Sequence, residues 1–171
     1  MIIIRREKPE DIRQIHSVNE QAFEDTAEAR IVDTLRENCP GILSLVAEDK
    51  GEIVGHIFFS PVVIEQSGPV IKGMGLAPMA VRPDRQRQGI GSRLVRAGLE
   101  ILEEQGYPYV IVVGHPGFYP KFGFERASKH NLTCQWQGVP DEAFMIIVND
   151  PLSLHGVKGV ARYRDEFDEA M

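Results

Sequence analysis

Residues 76–113 constrain the fold more than any other part of the chain. A strand-like run closes at Val81, and Gly89-Ile90-Gly91 opens a helix from about Gln88 to Gln105. Tyr109–Val113 (YVIVV) then follows Gly106. A continuous β-branched run of that kind belongs in the buried middle of a sheet. In the helix, Ile90, Leu94, Ala97, Ile101 and Leu102 recur at the spacing of one buried face. A strand–helix–strand unit around a buried strand calls for an α/β or α+β sheet with helices on its faces, not a bundle or a sandwich.

The flanking segments extend that sheet. Ile2–Arg6 reads as a short strand, and Pro9 starts a helix with Glu10 and Asp11 at its positive end. Ala27–Asn38 forms a second helix stopped by Pro40-Gly41. Strand-like runs follow at Leu43–Glu48, Ile53–Ile64 and Val70–Val81, the last expected to bulge or splay at Pro78, which lacks a ladder donor. After YVIVV come a short helical turn around Phe118–Phe122, a strand starting at Phe124, and strands at Ala143–Val148 and Gly159–Tyr163. The 171 residues suit one domain, residues 1–171, with no linker or repeat to divide them.

Charge and cysteine usage narrow the function. The net charge is -6 and the isoelectric point about 5.4. That balance opposes non-specific nucleic-acid binding, which needs a basic field, and leans mildly towards cationic partners. No apolar run approaches a membrane span, and the N-terminus has the wrong charge order for a signal peptide, so a cytoplasmic protein with no membrane association is expected. Cys39 and Cys134 form no CxxC pair, and the histidines show no metal-ligand spacing, so neither a disulfide nor a metal site is expected. His56, inside the strand run, reads as a hydrogen-bonded sheet residue.

The chemistry concentrates at residues 76–96 (LAPMAVRPDRQRQGIGSRLVR). Arg82, Arg85, Arg87, Arg93 and Arg96 oppose only Asp84 there, a local excess of four positive charges in an acidic protein. Glycines at a strand-to-helix turn let a ligand approach the backbone, and the free amides of a first helical turn suit phosphate. The stretch fits neither a Walker loop nor the dinucleotide fingerprint.

It does fit [RQ]-x-x-G-x-[GA], as Gln86-Arg87-Gln88-Gly89-Ile90-Gly91. This resembles the pyrophosphate-binding motif of the GNAT (GCN5-related) N-acetyltransferases. Ala80-Val81-x-Pro83 resembles the end of that family's central strand, and Phe118–Phe124 (FYPKFGF) its YxxxGF element. The resemblance covers roughly residues 53–127, the cofactor half, with substrate-side helices at about 9–38. The FGFE segment, Cys134, Trp136 and AEARIVDTLR further resemble the family's small bacterial YhbS-type branch.

The resemblance implies a mixed, mostly antiparallel sheet with a central splayed strand pair and helices on both faces. It also implies acetyl-CoA as co-substrate without a metal. Met79, Ala80 and Val81 on the strand, and Gln86, Arg87, Gln88, Gly89, Ile90, Gly91 and Ser92 in the loop and helix start, would hold it, with nearby arginines attracting phosphates. The Val81 N–H would stabilise the oxyanion, and Tyr119 would protonate the leaving thiolate. The central strand carries no carboxylate where many members have a glutamate base. Glu28 and His115 are the substitutes, and a water chain or an already neutral amine would need neither. The acceptor implied is a small-molecule or peptide amine, and a homodimer is compatible with the resemblance. The alternative is an acyl-CoA-binding sensor or partner subunit without turnover.

Overall fold

The computed structural model describes residues 1–171. They form two compact units. The first comprises Met1–Ser60, Ala77–Glu100 and Asp165–Met171, and the second Pro61–Leu76 and Ile101–Arg164. Nine strands are present: β1 (Ile2–Arg6), β2 (Leu43–Asp49), β3 (Glu52–Glu65), β4 (Ile71–Val81), β5 (Tyr109–Val113), β6 (Glu125–Arg126), β7 (Leu132–Cys134), β8 (Phe144–Val148) and β9 (Gly159–Arg162). The helices are α1 (Ile12–Phe23), α2 (Ala27–Asn38) and α3 (Ile90–Glu104). Pairing is mostly antiparallel, while β4 with β5 and β7 with β9 run parallel. The fold is a mixed α/β one with an open sheet.

In the first unit β1, β2 and β3 form an antiparallel ladder with one irregularity at Ala47/Glu48. The end of β4 joins it, with the Arg82 N–H donating to the Val54 carbonyl at 2.9 Å. Ile15, Val18, Ile31, Val32 and Leu35 bury the inner stripes of α1 and α2. Two glycines set how closely α3 packs on β3. A Cβ at Gly98 would drive into the Phe59 ring, and one at Gly55 would lie 3.0 Å from Ile90 and 3.1 Å from Leu94.

The second unit has the order β4-β5-β8-β6, with β9 on the far part of β3 and β7 on β9. YVIVV is its buried centre, flanked by β4 and β8 as its apolar run requires. The Tyr109 ring lies on Gly73, and its hydroxyl donates to the Ile71 carbonyl at 2.7 Å. The glycines of β4 therefore make room for aromatic rings. Pairing of β4 with β5 ends at Leu76 and Val112, and the Ala77–Pro78 bond that follows is cis.

Several boundaries differ from the sequence reading. The third helix starts at Ile90, two residues later, because Arg87 and Gly89 hold positive φ angles (64° and 82°) that no helix tolerates. The strand expected from Phe124 is only Glu125–Arg126, and β7 was not foreseen. The acidic C-terminus forms a short 3-10 turn at Asp165–Ala170 with Phe167 buried.

Candidate active site

The loop between β4 and α3 follows from its residues. Pro83 opens a 3-10 turn over Pro83–Arg85, and the left-handed conformations at Arg87 and Gly89 flank Gln88. Alternation of this kind gathers successive backbone N–H groups into an anion-binding hollow. Arg93 is the residue whose N–H bonds back to the Gly89 carbonyl, at 3.1 Å. The amides of Ile90, Gly91 and Ser92 therefore have no acceptor inside the helix and lie at its positive end. A Cβ built at Gly89 meets nothing within 4 Å, so the hollow opens on free space.

Side chains brace the loop. The Gln86 Nε2 donates to the Val81 carbonyl at 3.0 Å, and the Arg85 Nε to the Gln88 Oε1 at 3.3 Å. Met79 and Val81 are half-buried and Ala80 is buried, as alternation along β4 requires. The arginine cluster is less free than its sequence suggests. Arg82 pairs with Asp84 (2.7 Å) and Glu52 (3.3 Å), and Arg85 with Asp49 (2.9 Å). Arg93 donates to the Ile2 carbonyl at 3.0 Å. These arginines are committed to local partners, and Arg87 is exposed on the loop itself. The partners, Glu52 and Asp49, come from other strands, which is why counting charges along the segment missed them.

In the second unit Tyr119 begins a 3-10 turn, Tyr119–Phe122. Its ring is 7% exposed and meets Phe118 and Phe124 edge-on, with centroids 5.0 and 5.6 Å away. Gly114 lies against its other side, where a Cβ would collide with the ring. Burial pushes the phenol up to about 12, so it carries its proton throughout the neutral range. The His115 side chain is exposed, and its carbonyl accepts the Phe118 and Tyr119 N–H groups. His115 thereby shapes the turn that presents Tyr119.

Glu28 sits in the first turn of α2. Its Oε2 is buried and meets no hydrogen-bond partner. A buried carboxylate oxygen without a donor is costly unless something supplies one. His56 is satisfied instead. Asn19 donates to its Nδ1 at 3.0 Å, and its Nε2 lies 2.9 Å from the Ser44 hydroxyl. Burial pushes its pKa down to about 3, with Glu7 opposing and Arg36 assisting. It is a neutral core histidine, as its place in the strand suggests. Cys39 and Cys134 are free thiols, the first buried and the second half-buried. No group of three or more His, Cys, Asp or Glu side chains is placed to hold a metal, and no helix is long and apolar enough to cross a membrane.

A mixed, mostly antiparallel sheet and an amide-lined loop between a strand and a long helix define a recognisable class. Residues 3–127 match the family model described as an acetyltransferase (GNAT) domain. The chain is 38% identical over 98% of its length to the uncharacterized N-acetyltransferase YhbS of Escherichia coli, covering 99% of that protein. It is 40% identical to Escherichia coli YjhQ, also an uncharacterized N-acetyltransferase, over 69% of this chain and 66% of that one. The crystal structure of YhbS in complex with CoA superposes with a TM-score of 0.89, covering 98% of this chain and 92% of that one. A Brucella melitensis GNAT acetyltransferase in complex with acetyl-CoA, 34% identical, gives 0.79 over 98% of this chain and 99% of that one. The chain belongs to the GNAT acetyltransferase family. It is an acyltransferase of the N-acetyltransferase class.

Proposed function

We propose that this enzyme moves an acetyl group from acetyl-CoA to a primary amine by direct attack, without an acyl-enzyme. The observation that carries the donor is the loop itself: free first-turn amides beside a glycine whose missing side chain faces open space. Those amides suit a diphosphate. Gln86, Arg87, Gln88, Gly89, Ile90, Gly91 and Ser92 form that cradle, and Met79, Ala80 and Val81 run beside the pantetheine arm. That two GNAT relatives were solved with CoA and acetyl-CoA supports this reading.

The chemistry then falls to few groups. The amine nitrogen attacks the thioester carbonyl, forming the C–N bond as the carbonyl electron pair moves onto oxygen. The Val81 N–H stabilises that oxyanion, a contribution of about 3 kcal/mol to the barrier for donors of this type. The C–S bond breaks as the intermediate collapses, and the Tyr119 phenol donates to the departing thiolate. The amine must lose a proton, since an alkyl ammonium has a pKa of about 10.4. Glu28 takes it or holds the incoming ammonium, because its unpartnered buried oxygen is the acceptor such a cation lacks. His115 is the weaker candidate, given its exposed side chain and its part in the turn.

The test is thiol release from acetyl-CoA across a panel of polyamines, lysine-containing peptides and small primary amines, with wild type and Tyr119→Phe. Amine-dependent release that falls in the variant is the expected result. Undiminished acetyl-CoA binding with no amine-dependent release across the panel would favour the non-catalytic sensor.

A further inference from the structure

A circuit of polar side chains closes on itself within the first unit. Asn19 of α1 donates through Nδ2 to the Ile15 carbonyl and to the His56 Nδ1, both at 3.0 Å. With Nδ1 accepting, the neutral His56 carries its proton on Nε2, which faces the Ser44 hydroxyl at 2.9 Å. Ser44 in turn bonds the Glu7 carboxylate. Arg36 of α2 grips that carboxylate through Nε at 2.6 Å and Nη2 at 3.1 Å. Its Nη1 donates to Asp33 at 2.9 Å, and Asp33 meets the His16 Nδ1 at 2.7 Å, back on α1 one turn before Asn19.

The circuit does what apolar packing cannot. Ala27, Ile31, Val32 and Leu35 bury the inner stripe of α2, but apolar contact has no direction and leaves a helix free to turn slightly. A bidentate arginine–carboxylate contact fixes orientation as well as distance. Glu7, Ser44 and His56 come from the segment after β1, from β2 and from β3, so the sheet itself is what holds Arg36. Asn19, Ser44 and His56 are buried, where such bonds are stronger and a broken one is costly.

Glu28 is the group on α2 with reason to move. Along the helix it precedes Val32 by one turn and Leu35 by two, on the same buried stripe. Its Oε2 is buried with no donor, and a small rotation of the helix towards water would relieve that cost. The circuit, anchored on the following turns of the same helix, opposes that rotation. We infer that Ser44 and His56 are positioning residues that, through Glu7 and Arg36, keep the Glu28 carboxylate turned inward for the acceptor amine. The inference rests on the proposed role of Glu28, and every residue in it belongs to the first unit.

The experiment is a double-mutant cycle between Ser44→Ala and Glu28→Gln, read with the acceptor of highest kcat/KM in the amine panel. Ser44→Ala removes the link between His56 and Glu7. The expected result is a loss of about fivefold in kcat/KM for the amine, the size of one hydrogen bond. Acetyl-CoA affinity, measured by calorimetry, should match wild type. In the Glu28→Gln background the same substitution should cost less than about twofold, because the group it positions is gone. A residue needed only for the fold would lower both backgrounds alike. That result, weakened acetyl-CoA binding, or a Ser44→Ala variant as active as wild type would overturn the inference. Where Ser44→Ala does not fold cooperatively, Asp33→Ala, at the partly exposed rim of the circuit, must show the same loss and the same dependence on Glu28. Wild type without amine-dependent release would remove the acyl-transfer reading itself. A Glu28→Gln variant as active as wild type would remove the Glu28 reading, and the inference with it. Losses that simply add would remove only the positioning.

Discussion

The Gln86 side-chain amide donates to the Val81 carbonyl at 3.0 Å, tying the first residue of the loop motif to the last residue of β4. This contact fixes the amide hollow relative to the strand end proposed to hold the thioester. A single hydrogen bond of this type contributes about 1 kcal/mol. Gln86→Ala is therefore expected to weaken acetyl-CoA about fivefold with little change in thermal stability, measured by equilibrium dialysis and a melting curve. Unchanged affinity would mean that the tether has no part in shaping the hollow.

Tyr119 and Gly114 form a second testable pair. Tyr119→Phe keeps the aromatic packing and removes the proton donor. It should lower kcat about 10²-fold while leaving the KM for acetyl-CoA nearly unchanged. Gly114→Ala places a methyl group against the same ring and should cost about 1–3 kcal/mol of stability as well as lowering kcat. Because burial raises the phenol to about 12, Tyr119 stays protonated well past pH 10. An alkaline loss of kcat centred near pH 9 that vanishes in Tyr119→Phe would contradict this assignment.

His56 gives an acid-side prediction. Its folded pKa is depressed to about 3 from 6.5, so the unfolded chain takes up a proton that the folded chain refuses as the pH falls through that window. Its contribution to stability is thus present above pH 6.5 and is lost progressively below it, at up to about 1.4 kcal/mol per pH unit. Glu7 pulls the same way only at lower pH. Burial pushes its carboxyl up, but hydrogen bonds from Arg36 and Ser44 outweigh that and hold it below its usual value. Urea unfolding between pH 6.5 and 5.2 therefore isolates the histidine. Wild type should lose stability across that range, and His56→Gln should flatten the slope. Parallel slopes would show that His56 is not the group responsible.

Glu28 is expected to act on the acceptor, not on the donor. Glu28→Gln should raise the KM for the amine or lower kcat about tenfold or more at pH 7, with acetyl-CoA affinity unchanged. Raising the pH should restore part of the loss, since a larger fraction of amine arrives neutral. A variant as active as wild type at pH 7 would return the proton to water or to His115.

The parts of this molecule that local chemistry governs were readable from the chain. YVIVV has no charged position and no polar–apolar alternation and so belongs between two strands, and β4 and β8 flank it. Gly89 and Gly91 announced a strand-to-helix turn, although the positive φ of Arg87, a residue with no special turn preference, shortened the helix. What the sequence could not reveal depends on residues far apart along it. Asp49 and Glu52 neutralise arginines that a local charge count leaves free. Tyr163 meets Leu76 across 87 residues and Ile111 across 52, so a hydroxyl in an ordinary final strand run gave no sign of bridging two others. Gly73 and Gly75 each seat a tyrosine ring, from Tyr109 and Tyr163, residues too far along the chain for the glycines to announce them.

The most direct test of acetyl-CoA dependence is titration calorimetry of acetyl-CoA into wild type and into Gly89→Glu. Nothing within 4 Å obstructs a side chain at Gly89, so the substitution sends a carboxylate into the proposed diphosphate hollow, at a φ of 82° that also strains the backbone. A circular dichroism melt confirms that the variant is folded. The expected result is saturable binding by wild type and its loss in a folded Gly89→Glu. A folded wild type that binds no acetyl-CoA, or a variant that binds it as well as wild type, would contradict the proposal that this loop carries the donor.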